Sequence, residues 1–198
     1  STRALFEGDA EKMAMVEVNA QNAAEYSAAF DRLANLQTKA DGLIEEIEHL
    51  GEELRAYAAT AVQAASSSAN FNASGIAGYA VQEMLLTQLD VERFLITNDA
   101  ALFEAAVSNG EIAYDAFSRL QVAVFSQDQK ANVGNILTGL EQYSTLMTEL
   151  RDTADARNAV IASELEPLGL EMEADFQNML ALVNAEQRPC GAQLLGSY

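Results

Sequence analysis

The chain has 198 residues, with 30 acidic and 11 basic side chains and a net charge of −19. That charge excludes a nucleic-acid or anionic-membrane surface as partner, because both need a basic footprint. With 49% hydrophobic residues the chain can bury a core, so wholesale disorder is excluded as well. Two prolines and 11 glycines are too few to punctuate an all-β domain, while Ala, Leu, Glu, Gln and Met favour helices. The single cysteine, Cys190, rules out an intrachain disulfide and cysteine-pair zinc spacing. The single histidine, His49, argues against histidine-rich metal sites and a Ser-His-Asp triad. This residue inventory points away from catalysis and from a resident cofactor or metal. No run of 18 apolar residues exists to span a membrane. A start at Ser1-Thr2-Arg3, without Met or a signal peptide, reads as a segment of a longer protein.

Met13, Val16, Ala20, Ala23, Tyr26, Phe30, Leu33, Leu36, Ala40, Leu43, Ile47, Leu50, Leu54, Tyr57 and Ala61 advance in steps of three and four. This apolar seam predicts one long helix over about 5–68, with Gly42 and Gly51 as weak points and a break near Gly42 as the alternative. Ser, Asn and Gly cluster at 66–75 as a loop, with Asn72 or Ser74 capping a second helix that reaches about Ile96. Thr97-Asn98-Asp99 reads as a helix stop and a new N-cap. A short helix to Val107, a turn at Ser108-Asn109-Gly110 and a helix from Glu111 to about Ser126 follow. From Gln129 to Asn184 a second long helical region carries Val133, Ile136, Leu140, Tyr143, Met147, Leu150, Ala154, Arg157, Ile161, Leu165, Leu168, Met172, Phe176 and Met179 on its seam. Pro167 is expected to bend or relax it, since proline removes a backbone donor. Residues 188–198 lose the pattern and read as a frayed tail. Two segments, 26–33 with 143–150 and 46–51 with 164–169, resemble each other at offsets of 117 and 118, a faint internal repeat.

The fold expectation is an all-α elongated antiparallel bundle of two long helices with shorter ones between them, because each apolar stripe must be covered. Both termini would then lie at one end, as in a domain inserted between two membrane helices.

Five segments stand out in order: Gly51-Glu52-Glu53-Leu54-Arg55-Ala56-Tyr57 with Ala64-Ala65 and the Ser/Asn-rich loop; Gln82-Glu83-Met84-Leu85-Leu86 with Glu92-Arg93-Phe94-Leu95-Ile96-Thr97-Asn98-Asp99; Tyr143 with Ala156-Arg157-Asn158-Ala159-Val160; Leu165, Leu168-Gly169; and Glu186-Gln187. Together they resemble the helical bimodular sensor domains of bacterial methyl-accepting chemotaxis receptors. The resemblance spans about residues 20–187. The chain departs from it where the family's Gly-Pro is Gly169-Leu170, and again at Pro189-Cys190-Gly191. The resemblance implies two stacked four-helix bundles within residues 1–187, in a periplasmic, membrane-anchored dimer that binds a small organic acid and transmits a helix shift across the membrane. The sensor domain of a histidine kinase and a ligand-free structural bundle are the alternatives.

Arg157 is the leading ligand-binding candidate. It interrupts an apolar seam, guanidinium matches carboxylate bidentately, and the resemblance places an acid-binding arginine there. Asn158 adjoins it. Asn22 and Tyr26, one turn apart, and Tyr143 are candidates to complete a polar pocket facing it. The plainer reading makes Arg157 an internal ion-pair residue and the tyrosines core. Arg93 is an anion-site candidate in a second bundle, or simply a cation near a helix C-terminus. A cationic ligand held by carboxylates and aromatics stays open. His49 with Glu45, Glu46, Glu48, Glu52 and Glu53 has one Glu-x-x-His spacing and reads as a solvated face rather than a metal site.

Overall fold

The computed structural model describes residues 10–68 and 70–193, with Glu11 and 185–193 described as backbone alone. All-α architecture is observed. The elements are α1 (Ala10–Ser67), α2 (Phe71–Thr97), α3 (Ala100–Ala123), α4 (Gln127–Val160), a π-helical segment (Ile161–Leu165) and α5 (Glu166–Gln193). Among the described residues no helix is long and apolar enough to cross a membrane.

α1 runs unbroken through Gly42 and Gly51. α2 begins at Phe71, earlier than expected, because Asn70 and not Asn72 or Ser74 is its N-cap. The Asn70 Oδ1 accepts from the Ala73 N–H at 3.0 Å, and its Nδ2 donates to the Ala123 carbonyl at 3.0 Å. One side chain thus satisfies a free helix donor and ties the start of α2 to the end of α3. The predicted stop at Asn98 and cap at Asp99 are observed. Asn98 is left-handed at φ 53°, and the Asp99 carboxylate accepts from the Ala101 N–H at 2.9 Å.

The turn expected at Ser108-Asn109-Gly110 is absent, and the two short helices predicted there are a single α3. A helical glycine costs about 1 kcal/mol, which the common buried face of Phe103, Ala106, Ala113, Ala116, Phe117 and Leu120 outweighs. Asn109 also has a packed role, donating to the Asp90 carboxylate on α2 at 3.0 Å.

The chain divides into two compact units. One contains Ala40–Asp152. Its four helical segments alternate up and down. Asn70 meets Ala123, Gln88 meets Gly51, Asn132 meets Tyr57, and Tyr114 meets Glu141. Among the described residues the continuous hydrophobic core lies wholly here, with Leu54, Met84, Phe117, Leu120, Val133 and Ile136 fully buried. Alanines 73, 77, 80, 106, 113 and 116 let α2 and α3 pack closely. At one end Phe94 and Phe103 stack edge to face at 5.4 Å, with the Arg151 guanidinium 4.6 Å above Phe103.

The other unit comprises the described residues up to Lys39 and from Thr153 onward. It contains two helical segments of this chain rather than four, because α2 and α3 both belong to the first unit. Arg32 pairs with Glu164, and Arg157 Nη1 donates to Gln37 Oε1 at 3.0 Å. The expected disturbance at Pro167 takes the form of the π-helical segment. Glu166 N–H reaches back to the Ile161 carbonyl. The proline, which has no N–H, then falls in the first turn of α5 where none is needed. α5 continues to Gln193, so the expected tail is helical over 188–193, and 194–198 lie outside the described residues.

Two glycines separate propensity from packing. A Cβ at Gly42 meets nothing within 4 Å, whereas one at Gly139 would come 2.8 Å from Leu54 Cδ2, itself 1% exposed. Gly42→Ala is expected to stabilise the protein by about 0.5–1 kcal/mol. Gly139→Ala is expected to destabilise it by about 1 kcal/mol, overpacking exceeding the propensity gain. Urea unfolding of the two variants checks both signs.

Candidate functional site

A cavity of about 400 Å³ opens in the four-helix unit between α2, α3 and α4. α3 lines it with Ala106, Val107, Gly110, Glu111 and Tyr114, of which Ala106 and Gly110 are the small members. Gly110 stands against Thr87, whose Cγ2 lies 3.6 Å from where a Cβ would be. Val107, Leu140 and Met147 supply apolar wall, and Thr87, Ser144, Tyr114, Tyr143, Glu111 and Glu141 supply polar groups. Such a wall with a few converging polar groups is the usual make-up of a small-molecule site.

Tyr143 on α4 and Thr87 on α2 are the buried polar members, 4% and 3% exposed. Burial is the first cause that raises the Tyr143 phenol above the ordinary value. The nearby Glu92 carboxylate raises it further, and Arg55 opposes that. Among the described residues the Tyr143 hydroxyl makes no hydrogen bond, and it is not shut off from solvent, since no buried side-chain polar atom there lacks a partner. Tyr114 donates to Glu141 Oε1 at 2.8 Å, and that bond, followed by the Glu141 charge, raises the Tyr114 phenol above 10.0. Thr87 Oγ1 donates to the Glu83 carbonyl at 2.9 Å, which leaves its lone pairs free to accept.

Of the sequence candidates, Tyr143 lines this cavity. Arg157, Asn22 and Tyr26 belong to the other unit. Within that unit Arg157 is half-buried on Gln37, and Tyr26 stands against Gly169, 4.0 Å from a Cβ built there. Gln37 and Tyr26 are 11 residues apart on α1, about 16 Å at 1.5 Å per residue. Within their unit Arg157 and Tyr26 thus meet α1 and α5 at different heights, and Tyr143 belongs to the other unit. Asn158, turned about 100° from Arg157 on the helix, is exposed. Arg93 is exposed and pairs locally with Asp90 at 3.8 Å. His49 is also exposed, 3.9 Å from Glu53, and among the described residues no group of three or more potential ligands is arranged to hold a metal ion.

Thr87, Tyr114, Glu141 and Ser144 were missed as site residues. Their sequence signal is faint: Glu83, Thr87, Gln88 and Asp90 are polar yet buried on α2, a cluster that seam counting passes over.

The raised phenols carry a pH consequence. Both favour the protonated folded form, so their contribution is complete below pH 10 and is lost as pH climbs from there through the folded values. Unfolding free energy is expected to fall above pH 10, and Tyr143→Phe is expected to flatten that fall. Denaturant titrations between pH 8 and about 11 measure it. No protein-family model, curated protein or solved structure matches this chain.

Proposed function

We propose that this chain is the ligand-binding sensor domain of a bacterial chemoreceptor, extracytoplasmic and membrane-anchored in its full-length form. The single observation that carries the binding part of this reading is the cavity around Tyr143. An apolar wall of Val107, Leu140 and Met147, with Thr87, Tyr114, Tyr143, Ser144, Glu111 and Glu141 as its polar lining, is the make-up of a site that a small molecule can occupy. The resemblance described above supports the chemoreceptor output.

The transmission route is α4. Leu140, Tyr143, Ser144 and Met147 on this helix line the cavity, and the same helix runs on to Val160 and the π-helical segment. A ligand with different affinity for two positions of α4 would bias their populations. An irregular turn at Ile161–Leu165 gives the helix a place to change register at low cost. No arginine or lysine lines the cavity. The acid-binding role expected of Arg157 therefore has no place at this site.

A parallel homodimer belongs to the same reading. In the two-segment unit, Ala29 and Leu165 are the buried apolar residues among those described, while Phe30, Leu170, Phe176 and Leu180 are each more than 40% exposed. Two helical segments cannot cover their own stripes, and the matching pair from a second copy would make a four-helix arrangement.

Thermal-shift screening with small acids, amines and alcohols is expected to find compounds that raise Tm, and Gly110→Leu, which fills the cavity, is expected to abolish the shift. A screen with no hit overturns the binding reading. Sedimentation equilibrium is expected to show a dimer that Phe176→Glu dissociates. A monomer at about 100 μM, a concentration that would populate even a micromolar dimer, overturns the dimer.

A further inference from the structure

The polar lining of the cavity is one-sided. Glu111 and Glu141 are its charged side chains, and neither arginine nor lysine joins them. An anionic guest would face two carboxylates, both exposed, without a counter-charge, and like charges at close range repel. A neutral guest would leave most acceptor positions unused.

The oxygens present are suited to receive N–H donors. A carboxylate offers about four lone-pair positions, and Tyr114 is the partner that occupies one on Glu141, at 2.8 Å. Because its proton is committed to Glu141, the Tyr114 oxygen has lone pairs left over. The Thr87 hydroxyl is in the same state, with its proton on the Glu83 carbonyl. Tyr143 also lines the cavity; its hydroxyl is within reach of solvent and makes no hydrogen bond among the described residues, and its ring adds an aromatic surface. Aromatic faces attract cations, more strongly where water is excluded. Leu140, Met147 and Val107 give an apolar body something to lie against. The net charge of −19 draws cations toward the surface.

We propose that the cavity between α2, α3 and α4 holds a small organic ammonium ion, its head bonded by Glu141 and Glu111 with the Tyr114, Tyr143 and Thr87 oxygens, and its apolar body packed on Leu140 and Met147. The proposal rests on the reading of this cavity as a ligand site and names what the ligand is.

Calorimetric titration of the full chain tests it with matched compounds on two skeletons: butylamine, 1-butanol and butyrate; and 2-phenylethylamine, 2-phenylethanol and phenylacetate. The amine of at least one set is expected to bind at least tenfold more tightly than its alcohol, with no binding of the acid. Glu141→Gln is expected to weaken the amine at least tenfold and the alcohol less than threefold. Gly110→Leu is expected to remove both. Far-UV circular dichroism and the thermal transition establish that each variant is folded; Glu111→Gln serves in place of Glu141→Gln if the latter is not. If an alcohol or acid binds best and Gly110→Leu removes it, the cavity is a ligand site and the ammonium assignment is wrong. Amine binding that survives both Gly110→Leu and the Glu→Gln change lies on the acidic surface instead and overturns the proposal. If no compound binds, the ammonium assignment and the binding reading both fail.

Discussion

The four-helix unit turns on one buried amide. Gln88, 6% exposed on α2, donates to the Gly51 carbonyl at 3.2 Å and accepts from Arg55 Nη1 at 2.7 Å. A polar group this deep must find partners or cost several kcal/mol, roughly. Both partners lie on α1, so the need fixes the register of α2 against α1. Gly51 is part of the solution, because a Cβ there would come 3.3 Å from the Gln88 amide nitrogen. A residue that looks like a weak point in a long helix is thus where a neighbouring helix docks. Arg55, held by Gln88, is the cation that partly offsets the Glu92 charge at Tyr143.

With α2 placed, the cavity follows from side-chain size. α2 and α3 approach through alanines, and beside Thr87 the facing positions are Ala106 and Gly110. Small residues permit the close approach of the two helices but cannot fill the space that opens toward α4. Tyr143 occupies part of it, and its hydroxyl is left without a protein partner among the described residues. Elsewhere in this unit, polar groups buried at similar depth are satisfied: Asp90 by Asn109, Thr87 by the Glu83 carbonyl. Tyr143 differs from them in making no such bond, and it lines a cavity from which solvent can reach its hydroxyl.

The second unit works under a different constraint. It has two helical segments and almost no core of its own, and its side-chain links are polar: Arg32 with Glu164, Arg157 with Gln37. Exposed pairs of this kind contribute little stability. Its apolar side chains Phe30, Leu170, Phe176 and Leu180 stay exposed in the single chain, which is what motivates the proposed dimer. Pro167 adds local softness, since the π-helical turn that accommodates it replaces regular hydrogen bonding over Ile161–Leu165.

Much of this was legible in the residues. The three-and-four spacing of apolar side chains specified helices, few glycines and prolines specified long ones, and Asn98-Asp99 marked a boundary because asparagine tolerates the left-handed conformation and aspartate caps the next helix. Tyr143 could be picked out as a polar residue on an apolar seam. What periodicity cannot carry is which helices meet at a given height. Arg157 and Tyr143 share one seam fourteen residues apart, yet they belong to different units. Gly110 is a turn by composition and a helix by packing, since the burial of its neighbours outweighs its propensity. The sequence by itself determined the helices and their apolar faces, because those depend on neighbours three or four residues away. Tertiary structure alone decided which partners the buried polar groups found and which side chains line a cavity, because that depends on groups brought together from distant parts of the chain.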